Sequence, residues 1–338
     1  MDDPVELLTH IIQMAVESSA SDIHFDPKRE WVEIRFREQG ILREFTRYDN
    51  ALHDQIVRQV MVRSSMRIDD TLRPQDGRCV WRDGVLIDMR VAVCPALFGQ
   101  AITMRLIRSE QSAGLLEIGI RPDAVEVLHE GLMRKGKAII IAGATGSGKT
   151  TTACALLTHI QTSALSVISL EDPIEYVMSF ARQIQINHSV GLSFATVLRT
   201  ILRQNPDVVF VGEIRDAETA RVAMNAALTG HKVISTIHSH SARQALSRLR
   251  DMGVEAYVIR AAIGAILFQQ LVPSIRPTSA GMARVPLCEY LTMSERANSA
   301  DDLQYEFFSV REDISHKTLL GMFDEQQSQD LLSYHEEA

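Results

Sequence analysis

The sequence predicts an α/β protein: a sheet of parallel strands wound by helices, with a phosphate-binding loop and a smaller α+β domain in front of it. Three observations carry this. The stretch KAIIIAGATGSGKTTTACALL (137–157) runs from an apolar strand through a glycine-rich turn into a helix-forming segment. Short apolar runs at 138–142, 166–170, 207–212 and 232–236 alternate with helical stretches, the pattern of a parallel sheet with ligands at the carboxyl ends of its strands. Before residue 108 the strand-like segments instead alternate apolar with polar residues, as half-buried strands do.

Taken in order, VELLTHIIQMAVESS (5–19) has apolar residues at helical spacing. SDIHF and EWVEIRFREQGILREF alternate as strands, with Gln39-Gly40 at a hairpin turn. A helical stretch over 51–66 leads to LRPQDGR and then to the strands VLIDMRVAV and AITMRLIR. A first α+β domain is therefore expected over 1–108. Residues 109–120 read as a linker, and Pro122 opens a new helix. The phosphate-loop core is expected over 121–257, and 258–338 as a mainly helical C-terminal subdomain with an acidic, Gln-rich end.

With 338 residues, 46% hydrophobic and 23% charged, the chain is long enough for two domains with a sizeable core. A formal charge of −8 argues against a general nucleic-acid binder, which would present a basic stripe. The four cysteines, Cys79, Cys94, Cys154 and Cys288, form no C-x-x-C pair, so neither zinc nor a disulfide framework is expected. The N-terminus MDDPVELL is acidic where a signal peptide is basic, and AAIGAILF (261–268) is too short to span a membrane. A cytoplasmic protein without a transmembrane anchor is the expectation.

Gly143, Gly148, Lys149 and Thr150 fit the pattern G-x-x-x-x-G-K-[ST] in its required strand, loop, helix setting. The loop Gly143, Ala144, Thr145, Gly146, Ser147, Gly148, with Lys149, Thr150 and Thr151 opening the helix, is thus the candidate phosphate cradle. Its backbone N–H groups and helix N-terminus face the anion, Lys149 reaches the outer phosphates, and Thr150 holds Mg²⁺ through its hydroxyl. VISLEDPIEY then places Glu171, Asp172 and Glu175 just past a buried strand. One of these can hold Mg²⁺ through water and another can orient or deprotonate an attacking water. The plainer reading, acidic caps on a following helix, loses weight beside a phosphate loop. In PDVVFVGEIRD an apolar strand ends at Glu213, the second half of a phosphate-loop metal site. TGHKVISTIHSHSA supplies His231, which reads as a helix-end donor, then His238, placed to sense a γ-phosphate, and His240. No partner sits at metal-ligand spacing for the histidines.

Four boxes in this order, GATGSGKTTT, EDPIE, LRQNPDVVFVGEIRDAETA and TGHKVISTIHS, resemble the type II secretion and type IV pilus ATPase family. SASDIHF, LRPQDGR and IDMRVAV…ITMRLI resemble that family's N-domain, so the likeness covers roughly residues 5 to 290. It implies a RecA-like ATPase domain behind a PAS-like N-domain, using ATP and Mg²⁺ in a homohexameric ring at the cytoplasmic face of the membrane. By the same resemblance Glu175 is the general base, Glu213 serves metal and water, and His238 is the sensor. Arg90 and Arg105 match arginines that approach ATP, with Arg78 a lesser candidate. In IDMRVAV and ITMRLI, Arg90 and Arg105 sit among apolar neighbours, where a buried guanidinium needs an anion; the plainer reading is a pair of ordinary solvated strand arginines.

The four-cysteine insert of secretion members is absent, Cys288 standing alone, so no zinc is implied. Compact size with RPQDGR looks most like the assembly ATPases of competence pili. The partners implied are a polytopic inner-membrane platform protein and, indirectly, pilin-like proteins, with no direct sequence-specific nucleic-acid binding. Pilus retraction is the nearest alternative function. A DNA-handling phosphate-loop ATPase is the more distant one, disfavoured by the acidic balance.

Overall fold

The computed structural model describes residues 3–38, 40–83, 87–107, 113–134, 136–161, 164–276, 284–293 and 305–335. The chain divides into two compact units, Met1–Glu110 and Gln111–Ala338. Gln39 of the expected hairpin and residues 109–112 of the expected linker lie outside the described residues.

The first unit comprises α1 (Pro4–Glu17), β1 (Asp22–Pro27), β2 (Trp31–Glu38), β3 (Ile41–Asp49), α2 (His53–Arg63), β4 (Gln75–Trp81), β5 (Ile87–Ala96) and β6 (Gly99–Ile107). Helix α1 starts where it does because the Asp3 carboxylate accepts from the Val5 N–H and Pro4 occupies the first turn, where its missing N–H costs nothing. Leu8, Ile11, Ile12 and Ala15 form its buried stripe. The sheet is antiparallel, in the order β3-β2-β1-β6-β5-β4. Period-2 alternation puts Ile23, Phe25, Ile34, Met89, Val91 and Met104 in the core, with polar residues on the other face. Register aligns Arg37, Asp22, Arg105, Arg90 and Arg78 in one row across five strands.

The second unit comprises α3 (Pro122–Met133), β7 (Ala138–Ala142), α4 (Lys149–Ile160), β8 (Val167–Glu171), β9 (Ala181–Gln185), α5 (Phe194–Ile201), β10 (Val208–Val211), α6 (Ala217–Leu228), β11 (Lys232–Ile237), α7 (Ala242–Asp251), α8 (Ala256–Ala262), β12 (Ile263–Pro273), β13 (Arg284–Met293), β14 (Tyr305–Phe308), α9 (Val310–Leu319) and α10 (Glu325–Tyr334). Its sheet runs β14-β13-β12-β7-β11-β10-β8-β9, parallel from β12 to β9. Apolar layers cover both faces, so β7 and β10 are buried at every residue and read as unbroken apolar runs. The register Leu170↔Val211↔Ser235 and Ala142↔Ile237 brings the carboxyl ends of β7, β8, β10 and β11 to one edge.

Two expectations are corrected. The segment after residue 257 is not mainly helical, because β12, β13 and β14 extend the sheet before α9 and α10 close the unit. An unbroken apolar run such as AAIGAILF has no period to tell a buried strand from a buried helix. The described part of the expected linker is also not a loose tether: Leu115, Ile118 and Ile120 are buried in the second unit's core.

Candidate active site

One cleft lies at the carboxyl edge of the parallel strands. Thr145, Gly146, Lys149 and Thr150 line it from the phosphate loop, Glu171, Asp172 and Glu175 from the turn after β8, Glu213 and Arg215 from the turn after β10, and Thr236 and His238 from the end of β11. Residues far apart in sequence meet here because four buried strands, β7, β8, β10 and β11, end at one edge.

The loop's shape follows from its glycines. Gly146 and Gly148 have φ of +77° and +85°, a region that residues with a Cβ avoid. A Cβ on Gly143 would lie 2.4 Å from the Ser147 Oγ and 2.5 Å from the Gln269 carbonyl oxygen. Gly148 caps α4 without a side-chain hydrogen bond, which leaves the helix N-terminus to an anion. Lys149 is 8% exposed and its Nζ donates to the carbonyls of Gly143 (2.9 Å) and Ala144 (2.8 Å). Burial pulls its pKa below the ordinary lysine value, opposed by the charges of Glu213 and Glu175.

The acids differ from one another. Glu171 is 2% exposed; its Oε1 accepts from the Ser169 hydroxyl (2.7 Å) and from Gln183 Nε2 (3.0 Å), and its Oε2 has no partner among the described residues. Burial raises its pKa, outweighing those two hydrogen bonds. Glu175 is exposed at the mouth of the cleft. The Glu213 carboxylate is engaged at both oxygens: Oε1 lies 2.9 Å from His238 Nε2, and Oε2 accepts from Arg215 Nε at 2.8 Å. Burial and then the Lys149 charge lower the His238 pKa, opposed by Glu213. A neutral imidazole facing a carboxylate presents its Nε2–H, so His238 donates to Glu213.

The remaining candidates lie elsewhere. Thr151 Oγ1 is 3.1 Å from the Tyr176 hydroxyl, outside the cleft lining. The His231 ring is 3.1 Å from the Ala226 carbonyl at the end of α6, the helix-end position its sequence suggests. His240 is exposed, away from the cleft lining. Arg78, Arg90 and Arg105 belong to the first unit, while the cleft is built entirely by the second. Arg105 is no buried cation: its side chain is 66% exposed, and Nε donates to Asp22 Oδ1 at 2.8 Å. The Asp22 carboxyl lies below its ordinary pKa because, against burial, the hydrogen bonds from Arg105 and Ser21 prevail. Arg78 pairs with Asp88. Sequence reading missed Ser169, Gln183 and Arg215, whose roles depend on tertiary neighbours and leave no spacing signal.

A family model described as type II/IV secretion system protein matches residues 2–323. The chain belongs to that family. Type II secretion system protein E of Klebsiella pneumoniae is 38% identical over 275 residues, covering 81% of this chain and 55% of the relative. The type IV pilus assembly ATPase PilB of Thermus thermophilus is 38% identical over 269 residues, covering 79% and 30%. The chain thus spans about half the length, or less, of these curated relatives. Among solved structures, the pilus retraction motor PilT with bound ADP superposes with a TM-score of 0.74 at 26% identity, covering 95% of each chain. The Legionella pneumophila ATPase DotB, at 24% identity and TM-score 0.77 over 98% and 96%, supports the fold alone. The fold is therefore that of the RecA-like secretion ATPases with a smaller N-terminal α+β domain.

The cleft suits a nucleotide and its magnesium ion. The cradle would be filled by a Cβ at Gly143, the helix N-terminus lacks a side-chain cap, and Thr150 and Glu213 are hard oxygen donors of the kind Mg²⁺ takes. Among the described residues no three His, Cys, Asp or Glu converge as a metal cage. A phosphate-loop Mg²⁺ needs none, since it keeps waters and phosphate oxygens as ligands.

Proposed function

We propose that this chain is a Mg²⁺-dependent ATP hydrolase whose turnover drives assembly of a type IV pilus, pseudopilus or competence pilus. It works as a homohexamer at the cytoplasmic face of the membrane, against a polytopic platform protein that adds pilin-like subunits. One observation carries the reading: phosphate loop, Glu175, Glu213 and His238 line a single cleft.

In this reading Lys149 leaves its two loop carbonyls for the β- and γ-phosphates, exchanging neutral acceptors for charged ones. Thr150 and Glu213 hold Mg²⁺, Glu213 through water, and the bound ion neutralises charge on the transferring phosphoryl group. Glu175, exposed at the cleft mouth, orients and deprotonates the attacking water. Glu171, buried and favouring its neutral form, is the weaker base candidate. His238 reports the γ-phosphate to Glu213 through their shared hydrogen bond. Arg90 and Arg105 supply guanidinium groups to the phosphates, Arg105 exchanging Asp22 for them.

Retraction is a second reading, favoured by the match to PilT over nearly the whole of both chains. The higher identity to the assembly and secretion relatives favours the first. The direct test is Mg²⁺-ATP hydrolysis by the purified chain. Activity is expected in the parent and a loss on the order of 10³-fold in Lys149→Ala, since preorganised charge at the phosphates is removed. Equal rates would remove the cleft as the catalytic centre.

A further inference from the structure

Strand β12 comes from the segment the sequence reads as helical, yet it lies beside β7, and its Phe268 pairs with Ala142. The next residue, Gln269, is therefore level with the start of the phosphate loop. It is 1% exposed, an unusual place for a polar side chain, and its Nε2 donates to the Ser147 carbonyl at 2.6 Å. The contact is close on every side: a Cβ at Gly148 would lie 3.1 Å from that Nε2, and one at Gly143 would lie 2.5 Å from the Gln269 carbonyl. No motif of the family reading uses this residue.

We propose that Gln269 is a positioning residue for the phosphate loop, aiming the Gly148 N–H at the nucleotide. A trans peptide is planar, with its C=O and N–H pointing to opposite sides. Anchoring the Ser147 carbonyl on Gln269, outside the loop, therefore turns the Gly148 N–H of the same peptide toward the inside, where phosphate oxygens sit. Gly148 is free to rotate, as its φ of +85° attests, so without an external anchor the peptide has little to prevent it from flipping. A flipped peptide would present an oxygen to an anion. Lys149 cannot serve as the anchor, because its Nζ is spent on Gly143 and Ala144 and leaves them for phosphate. The proposal rests on the nucleotide-binding reading of the cleft.

The test is equilibrium binding of a fluorescent ATP analogue with Mg²⁺ to the full chain, from about pH 8 down to about pH 5.5. Gln269→Met keeps the volume and removes the donor; Gln269→Glu keeps the shape and has a donor only when protonated. Gln269→Met is expected to weaken binding about 5- to 150-fold at every pH, the range a lost buried hydrogen bond covers. Gln269→Glu is expected to recover toward parent affinity as pH falls, after correction by the parent's own profile. Because the ionised carboxylate would also repel the phosphates, this recovery counts for the donor only beside a loss in the uncharged Gln269→Met. If Gln269→Met does not fold, as judged by thermal melting, Gln269→Leu takes its place as the uncharged variant without a donor. The proposal is overturned if Gln269→Met binds like the parent, or if Gln269→Glu stays equally weak across the whole range. A parent that binds no analogue would instead overturn the nucleotide reading.

Discussion

In the six-stranded sheet one face is not packed in the core, so charges can stand along the strands: Arg37 and Arg105 reach the buried Asp22 from the two neighbouring strands, and Arg90 lies in the same row. In the eight-stranded sheet both faces of the parallel core are buried, and charge has only the strand ends left. Glu171, Glu213 and His238 are therefore gathered at one edge, within reach of Lys149 and one another. The difference lies in what holds each charge. Arg105 is exposed and held by one carboxylate, so it can exchange partners at little cost. Lys149 and Glu171 are buried, and burial pushes the lysine pKa down and the glutamate pKa up.

The largest expected effect breaks this comparison at the open face. If Arg105 acts as a finger, Arg105→Ala lowers single-turnover ATP cleavage by about 10³- to 10⁵-fold. Mixed with Lys149→Ala chains, it recovers cleavage if the arginine serves a neighbouring chain's nucleotide. Failure to recover in verified mixed rings leaves a same-chain arrangement, and full activity of Arg105→Ala alone removes the finger role.

A smaller effect sharpens the contrast between two acids of one box. Glu175→Gln is expected to lower turnover by about 10²- to 10⁴-fold as the loss of a general base. Glu171→Gln, which mimics the neutral carboxyl that burial favours, is expected to cost less than about 10-fold. The reverse ranking would move the base to Glu171. Stability gives a second reading. Glu171 has a folded pKa above its ordinary 4.5, so its ionisation opposes folding, and stability falls as pH rises from the unfolded value through the folded one. The melting temperature of Glu171→Gln minus that of the parent should therefore increase between about pH 4 and about pH 8. A flat difference would mean that folding leaves the Glu171 pKa at its ordinary value, and a decrease would mean that the cleft favours its charged form.

Much of this was legible in the sequence, for physical reasons that also set the limit. Buried parallel strands appear as unbroken apolar runs, and the residue after each run must lie at the sheet edge, so Glu213 and His238 could be placed without coordinates. The phosphate loop announces itself because only glycine tolerates its dihedral angles. Glu171 and Glu175 could not be separated, because burial of one and exposure of the other depend on Ser169, Gln183 and the packing of β9. Arg215 and Gln269 were invisible for the same reason: their partners are set by which strands are neighbours. Strand β12 was missed because an apolar run that is mostly buried carries no period.

The central claim is that the acid-ended edge of the eight-stranded sheet is where ATP is cut, and Glu213→Gln tests it most directly. Because the amide keeps the shape and leaves the phosphate loop, Lys149 and Thr150 untouched, the variant should bind Mg²⁺-ATP with near-parent affinity while lacking the charge that would act on metal-bound water. Its single-turnover cleavage should fall by about 10²-fold or more, with the nucleotide recovered uncleaved. Cleavage at the parent rate would contradict the account.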